Sequence, residues 1–289
     1  MERPPCRHFF RVGSLRFFFT RFFFFAIMSL ATAQRTSDVS TPSPAIPRGE
    51  RAHLSVAAAA NLVYVLDKLN AAFTAAEPEL KLTATTGASG SLVAQIQSGA
   101  PFDIFLSADL DHPRALVERG HAEPSSFTTF AIGRLVLWTT NPQLTLQSVP
   151  TTLRERSVRR IAVANPETAP YGRAAEAALK SFGVWEEVQR KLVFGENITQ
   201  TAQFVETGNA EVGLVALSLV LSPALKDRGR WIPVPAESYT PLAQAAVLTH
   251  RGAKNPTALR YLKFLQSAPA QEILHHFGYR TPAEDNPRR

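Results

Sequence analysis

Five times along this chain a short apolar run stops at a small or polar residue, and a helix-period pattern starts a few residues later. Residues 53–57 form the first such run. Leu62, Leu66, Leu69 and Phe73 follow on one helical face, with Asn61 at the junction where an N-cap is expected. Residues 80–85 lead through 86–90 into a helix over 91–98 that Gly99 ends, and residues 103–107 lead into one that Pro113 starts and Gly120 ends. Residues 160–164 run through a loop to Tyr171 and Gly172, and then Ala175, Ala178, Leu179 and Phe182 share a helix face that Gly183 closes. Residues 192–194 run through Asn197 into a helix ending at Gly208; residues 212–217 form a further strand. Two helices close the chain, one opened by Asn255-Pro256 and carrying Leu259, Leu262 and Leu265, the other over 270–277. Alternation of this kind predicts an α/β protein with parallel-type sheets covered on both faces. Long extended runs at 130–138 and 243–249 interrupt it. They are placed to carry the chain into a second lobe (132–242) and back to a discontinuous first lobe (52–131 with 243–279).

The N-terminus reads as an address label. Five arginines (Arg3, Arg7, Arg11, Arg16, Arg21) against Glu2 precede an apolar run over 22–30 and then Ala31-Thr32-Ala33. A basic start, a short apolar stretch and small residues two apart predict a signal peptide over 1–33, cleaved after Ala33, and hence a periplasmic protein. A retained spanning helix needs about 20 apolar residues, more than lie between Arg21 and Ala33. Residues 34–51, rich in Pro, Ser and Thr, predict a disordered linker, and 280–289 a polar tail. The leader holds +4 of the formal charge of +7, leaving +3, too little to argue for a nucleic-acid surface. Cys6, the only cysteine, also lies in the leader, which excludes disulfides, cysteine-ligated metals and a cysteine nucleophile downstream.

Four junctions offer uncharged donors at a helix start: Asn61, Ser89 with Ser91, Tyr171, and the Ile198 backbone N–H. Each helix start carries orphan N–H groups and a partial positive charge. Several converging starts make an anion site without any Lys or Arg, each hydrogen bond to a charged group contributing about 1.5–3 kcal/mol. Such a site favours a fully ionised oxyanion over one that needs an acceptor for its proton. Taken singly, Asn61 and Ser89 read first as helix caps, the commonest use of such residues, and Tyr171 reads equally well as a half-buried tyrosine bonded across its loop.

The segments AAAANL (57–62), TGASGSLVAQIQSGAPFDIFLSAD (86–109), FAIGRLVLW (130–138), ANPETAPYGRAAEAAL (164–179) and ENITQTAQFVETGNAEVGLVALS (196–218) resemble the periplasmic molybdate-binding proteins of ABC importers. The resemblance spans about residues 52–279. It implies a type II periplasmic-binding fold, two lobes joined by two crossing strands with the oxyanion in the cleft, and capture of molybdate or tungstate as bound ligand rather than cofactor. It also implies a permease and its ATPase as partners of a monomeric binding protein. Carried over by position, Asn61 matches a residue giving side-chain and backbone donors, Ser89 and Tyr171 match hydroxyl donors, and Ile198 matches a backbone donor. Ala60 matches a neighbouring contact, and no protein atom ligates the metal directly. The chain departs from the pattern at Ala60 and Ala88, where relatives can carry hydroxyls.

Two rival readings stay open. Sulfate or phosphate would suit a related site. A metal-dependent enzyme would need Asp109, Asp111 and His112 as ligands, but Asp111 before Pro113 reads as a helix cap and no second cluster completes a shell. His275 and His276 fall on adjacent helix faces, and GASG is not the GxSxG nucleophile turn.

Overall fold

The computed structural model describes residues 52–75 and 77–282. The expected signal peptide (1–33) and linker (34–51), Cys6, and residues 283–289 of the expected tail lie outside the described residues. The strands are β1 (His53–Ala59), β2 (Lys81–Gly87), β3 (Ile104–Leu106), β4 (Thr128–Gly133), β5 (Leu135–Thr139), β6 (Ile161–Ala164), β7 (Leu192–Gly195), β8 (Val212–Ala216), β9 (Arg230–Pro233) and β10 (Leu242–Leu248). The α-helices are α1 (Val63–Thr74), α2 (Ser89–Gln97), α3 (Asp111–Glu118), α4 (Val149–Arg154) and α5 (Pro170–Ser181) in the first part. Then come α6 (Trp185–Val188), α7 (Ile198–Glu206), α8 (Leu217–Val220), α9 (Pro256–Phe264) and α10 (Ala268–His276).

These strands form two five-stranded sheets, ordered β2-β1-β3-β10-β4 and β7-β6-β8-β5-β9. Both contain the same device. A first strand (β1 or β6) pairs in parallel with its two successors on either side, so the connections leave it in opposite directions. A crevice opens beyond the carboxyl end of such a strand, the usual ligand position in open α/β sheets. Apolar residues cover both faces of the first sheet: Leu54, Val56, Leu66, Leu69 and Tyr261 belong to one cluster, and Ala57, Phe105, Leu92 and Val247 to another. The second sheet has its own core around Val136, Trp138, Val163, Leu179 and Leu214. Helix ends follow the expected glycines, as at Gly99 (φ 88°) and Gly183 (φ 64°), where a left-handed residue closes α2 and α5.

Tertiary context changes several local expectations. The sheets are mixed, not parallel throughout: β10 runs antiparallel to β3 and β4, and β5 antiparallel to β8 and β9. Strands at which the chain leaves or re-enters a sheet approach it from the opposite end to the βαβ strands. The extended run 130–138 is two strands broken at Arg134, one in each sheet. The run 243–249 lies within the first sheet, and the return crossing is the preceding segment 234–241, where Pro235 and Pro241 cannot donate to a ladder. Leu259 is exposed, since α9 turns Ala258, Tyr261 and Leu262 inward instead. Helix α3 starts at Asp111, not Pro113. Asp111 is exposed and caps nothing; Asp109 Oδ1 accepts the His112 N–H at 3.2 Å in its place. Arg280, read as tail, pairs with Ile132 through two backbone hydrogen bonds of 2.8 and 3.0 Å.

Candidate ligand-binding site

At the carboxyl end of β1 the backbone enters a 3-10 turn over Ala60–Leu62, and Asn61 lies inside it, not at its cap. Asn61 is buried and turned toward tertiary partners. Its Nδ2 donates to Gln244 Oε1 (3.1 Å) and to the Tyr279 hydroxyl (2.8 Å), and its carbonyl accepts from Ser218 Oγ (2.8 Å) and Tyr279 (3.0 Å). Both amide hydrogens are thereby spent, so in this arrangement a ligand is offered the Asn61 backbone N–H and not the side-chain donor that the resemblance implies. Ser89 is the first residue of α2, whose N-cap is Ala88. Its hydroxyl accepts from the Ala108 N–H (3.2 Å), which leaves its own hydrogen to donate.

Tyr171 sits in the first turn of α5 behind Pro170, with Ala169 as N-cap. Its side chain is fully buried, and its hydroxyl accepts a long 3.5 Å contact from Gln244 Nε2. Burial, with Tyr279 and Tyr239 adding to it, pushes the phenol pKa well above its ordinary value, so Tyr171 remains a proton donor at neutral pH. At α7, Asn197 Oδ1 caps the Thr199 and Gln200 amides (3.0 and 3.1 Å). The Ile198 N–H, one position earlier, has no partner among the described residues.

Asn61, Ala60, Ser89, Tyr171 and Ile198 all line one cavity, together with Ala59, Gly87, Ala88 and Ala108. No lining residue is charged. Three of the helical starts at this cavity have alanines 59, 88 and 169 as caps, without side-chain bonds, whereas α7, which also starts here, is capped by Asn197. An alanine in place of a capping side chain costs about 1 kcal/mol. Three such losses around one cavity leave orphan N–H groups for another acceptor. The space is small: only about 10 Å³ admits the centre of a water molecule. Pockets for organic ligands of drug size run to about 300–1,000 Å³, so this one suits an ion of a few atoms.

Contacts across the cavity join segments that follow the strands of both sheets. The Gly90 N–H donates to Thr168 O (2.9 Å) and Thr199 Oγ1 to Ala60 O (3.0 Å). Arg173 of α5 pairs with Asp109, which also holds His112 Nδ1 at 2.7 Å. Burial pushes the Asp109 carboxyl up, but the His112 ring and the Ser107 hydroxyl outweigh it and hold it below its ordinary value. Its oxygens are thus committed to protein partners. Among the described residues no three His, Cys, Asp or Glu side chains gather as metal ligands.

The profile of the family described as bacterial extracellular solute-binding proteins matches residues 54–280. This chain belongs to that family. The "Molybdate-binding protein ModA" of Rhodobacter capsulatus is 40% identical to it over 225 residues, 78% of this chain and 87% of the relative. The solved periplasmic molybdate-binding protein of Azotobacter vinelandii superposes with a TM-score of 0.75 at 33% identity, covering 79% of this chain and 99% of that one. The fold is therefore the two-lobed periplasmic-binding fold that the resemblance implies. A sulfate-binding protein of Mycobacterium tuberculosis shares it at 14% identity, with a TM-score of 0.67 over 80% of this chain and 88% of that one. At that distance the likeness is one of fold alone. The family and these relatives are solute-binding proteins and not enzymes, so the enzyme alternative falls. Sequence reasoning missed Gln244 and Tyr279, which hold Asn61. A lone amide in the apolar strand AQAAVLT was a signal for the first, since buried polar groups require partners. Tyr279 carried no local signal.

Proposed function

We propose that this chain captures molybdate, and tungstate with it, and delivers it to the permease and ATPase of an ABC importer. In this reading the protein is exported by cleavage after Ala33 and works in the periplasm as a monomer. The single observation that carries the proposal is an uncharged cavity at the carboxyl ends of both sheets into which several neutral donors are gathered. The donors are the backbone N–H groups of Asn61 and Ile198 and the hydroxyls of Ser89 and Tyr171, with Ala60 as a packing contact. Neutral donors of this kind favour an oxyanion that carries no proton. The identity of about two residues in five with a molybdate-binding protein supports the choice of ion.

The bounds expected at 131/132 and 242/243 shift to the sheet ends, so the lobes of this reading are 52–133 with 242–280, and 135–233, hinged where the chain crosses at Arg134 and along 234–241. The cavity as it stands has room for about one water. An ion with four oxygens therefore enters by parting the lobes, and its bonds to both draw them together again.

Titration of the purified chain with molybdate, tungstate, sulfate, phosphate and a small carboxylate tests the proposal. Molybdate and tungstate are expected to raise the melting temperature, with about 2.7 kcal/mol of added stability at a hundredfold excess over Kd, and sulfate to raise it far less. A response to the carboxylate alone contradicts the proposal. A response to sulfate or phosphate alone assigns the same site to another ion.

A further inference from the structure

Beneath the cavity a buried amide joins two of its lining residues. Gln244, on β10 of the first sheet, is 0% exposed. Its Oε1 accepts from Asn61 Nδ2 (3.1 Å), and its Nε2 points to the Tyr171 hydroxyl (3.5 Å) on α5, which packs with the second sheet. Glutamine has an acceptor at one end of its amide and donors at the other, so it can receive from one neighbour and give to the next. Among the described residues Tyr171 has no other hydrogen-bond partner, and the phenol accepts from Gln244. Its single hydrogen is therefore left for something in the cavity. Gly133, at the end of β4, has no side chain where these two groups meet. A Cβ there would overlap the Tyr171 hydroxyl and lie 2.7 Å from Gln244 Nε2.

We propose that Gln244 is a positioning residue for the anion site: held in orientation by the Asn61 amide from which it accepts, it donates to Tyr171 and so sets the Tyr171 hydrogen toward the ion. The proposal rests on the oxyanion reading above and adds to it a residue that lines no part of the cavity. Because Gln244 acts through Tyr171, its loss matters only while the Tyr171 hydroxyl is present. A residue that merely supported the first sheet would matter equally with or without that hydroxyl.

The test is a double-mutant cycle on the full mature chain, with molybdate as probe, calorimetry as readout and the unfolding midpoint of each ligand-free variant as control. Gln244→Leu is expected to weaken binding about tenfold in the wild-type background and less than about twofold beside Tyr171→Phe. Gln244→Met, unbranched and able to fill the same space, replaces it in the cycle if the leucine variant unfolds. Equal losses in both backgrounds overturn the proposal while leaving the oxyanion reading in force. A wild-type chain that binds no oxyanion overturns both.

Discussion

Replacing Gly133 with alanine is expected to weaken oxyanion binding at least as much as removing the Tyr171 hydroxyl does, about 10- to 150-fold, and to lower the melting temperature. The added Cβ would overlap the Tyr171 hydroxyl oxygen and crowd Gln244 Nε2. Tyr171 is fully buried and cannot swing into solvent, so its phenol must leave the position from which it donates. A hydrogen bond to a charged group is worth about 1.5–3 kcal/mol, which sets the range. The same clash costs stability, because a buried phenol ring has no flexible end to give way, although Gly133 has no left-handed φ that alanine would strain. Alanine also restricts the unfolded chain, a gain of about 0.4–1 kcal/mol that offsets part of the crowding. Calorimetric titration with molybdate beside thermal unfolding of the ligand-free variant checks both halves. Unchanged affinity would remove Tyr171 from the site.

The second large effect is expected from Ile198→Pro. Ile198 is the first residue of α7, the one helical position where proline is favoured, because the N–H it lacks has no partner within the helix. The preceding Asn197 is already extended (φ −147°, ψ 174°), as a residue before proline must be. The substitution thus deletes one backbone donor without breaking the helix, and affinity is expected to fall about 10- to 150-fold. Ile198 is buried, so some stability is lost with its side chain. Ile198→Ala separates the two effects: it keeps the N–H and trims the side chain, and it should lower the melting temperature while holding affinity near wild type. Equal affinity losses in both variants would mean that the side chain, not the amide, matters.

Much of this architecture can be read from local pattern. The strand-to-helix junctions at 57–62, 85–91 and 194–198 follow from apolar runs meeting helix-period stripes, and the glycines that close α2 and α5 follow from the left-handed end those helices need. Of the residues the junctions offered, all but Ser91 (Asn61, Ser89, Tyr171 and Ile198) fall around one cavity, because both sheets reverse direction at β1 and β6 and bring those junctions together. Hydrogen-bond direction was not legible. Asn61 looks like a cap from its neighbours in sequence, yet its amide is taken by Gln244 and Tyr279, which lie 183 and 218 residues away. Asp111 looks like a cap for the same local reason, and Asp109 does that work because the chain turns two residues earlier. The alanine caps are no mark of the site by themselves, since α8, which lines no part of the cavity, has Ala216 as its cap without a side-chain bond.

The central claim is that an oxyanion can be held here by neutral hydrogen-bond donors from both lobes with no cation from the protein. A crystal structure of the mature chain with molybdate bound tests it most directly. The account predicts the ion in the cavity between Ala88 and Tyr171, its oxygens about 2.7–3.2 Å from the Asn61 and Ile198 amides and the Ser89 and Tyr171 hydroxyls. A lysine or arginine seated on those oxygens, or an ion bound away from this cavity, would contradict it.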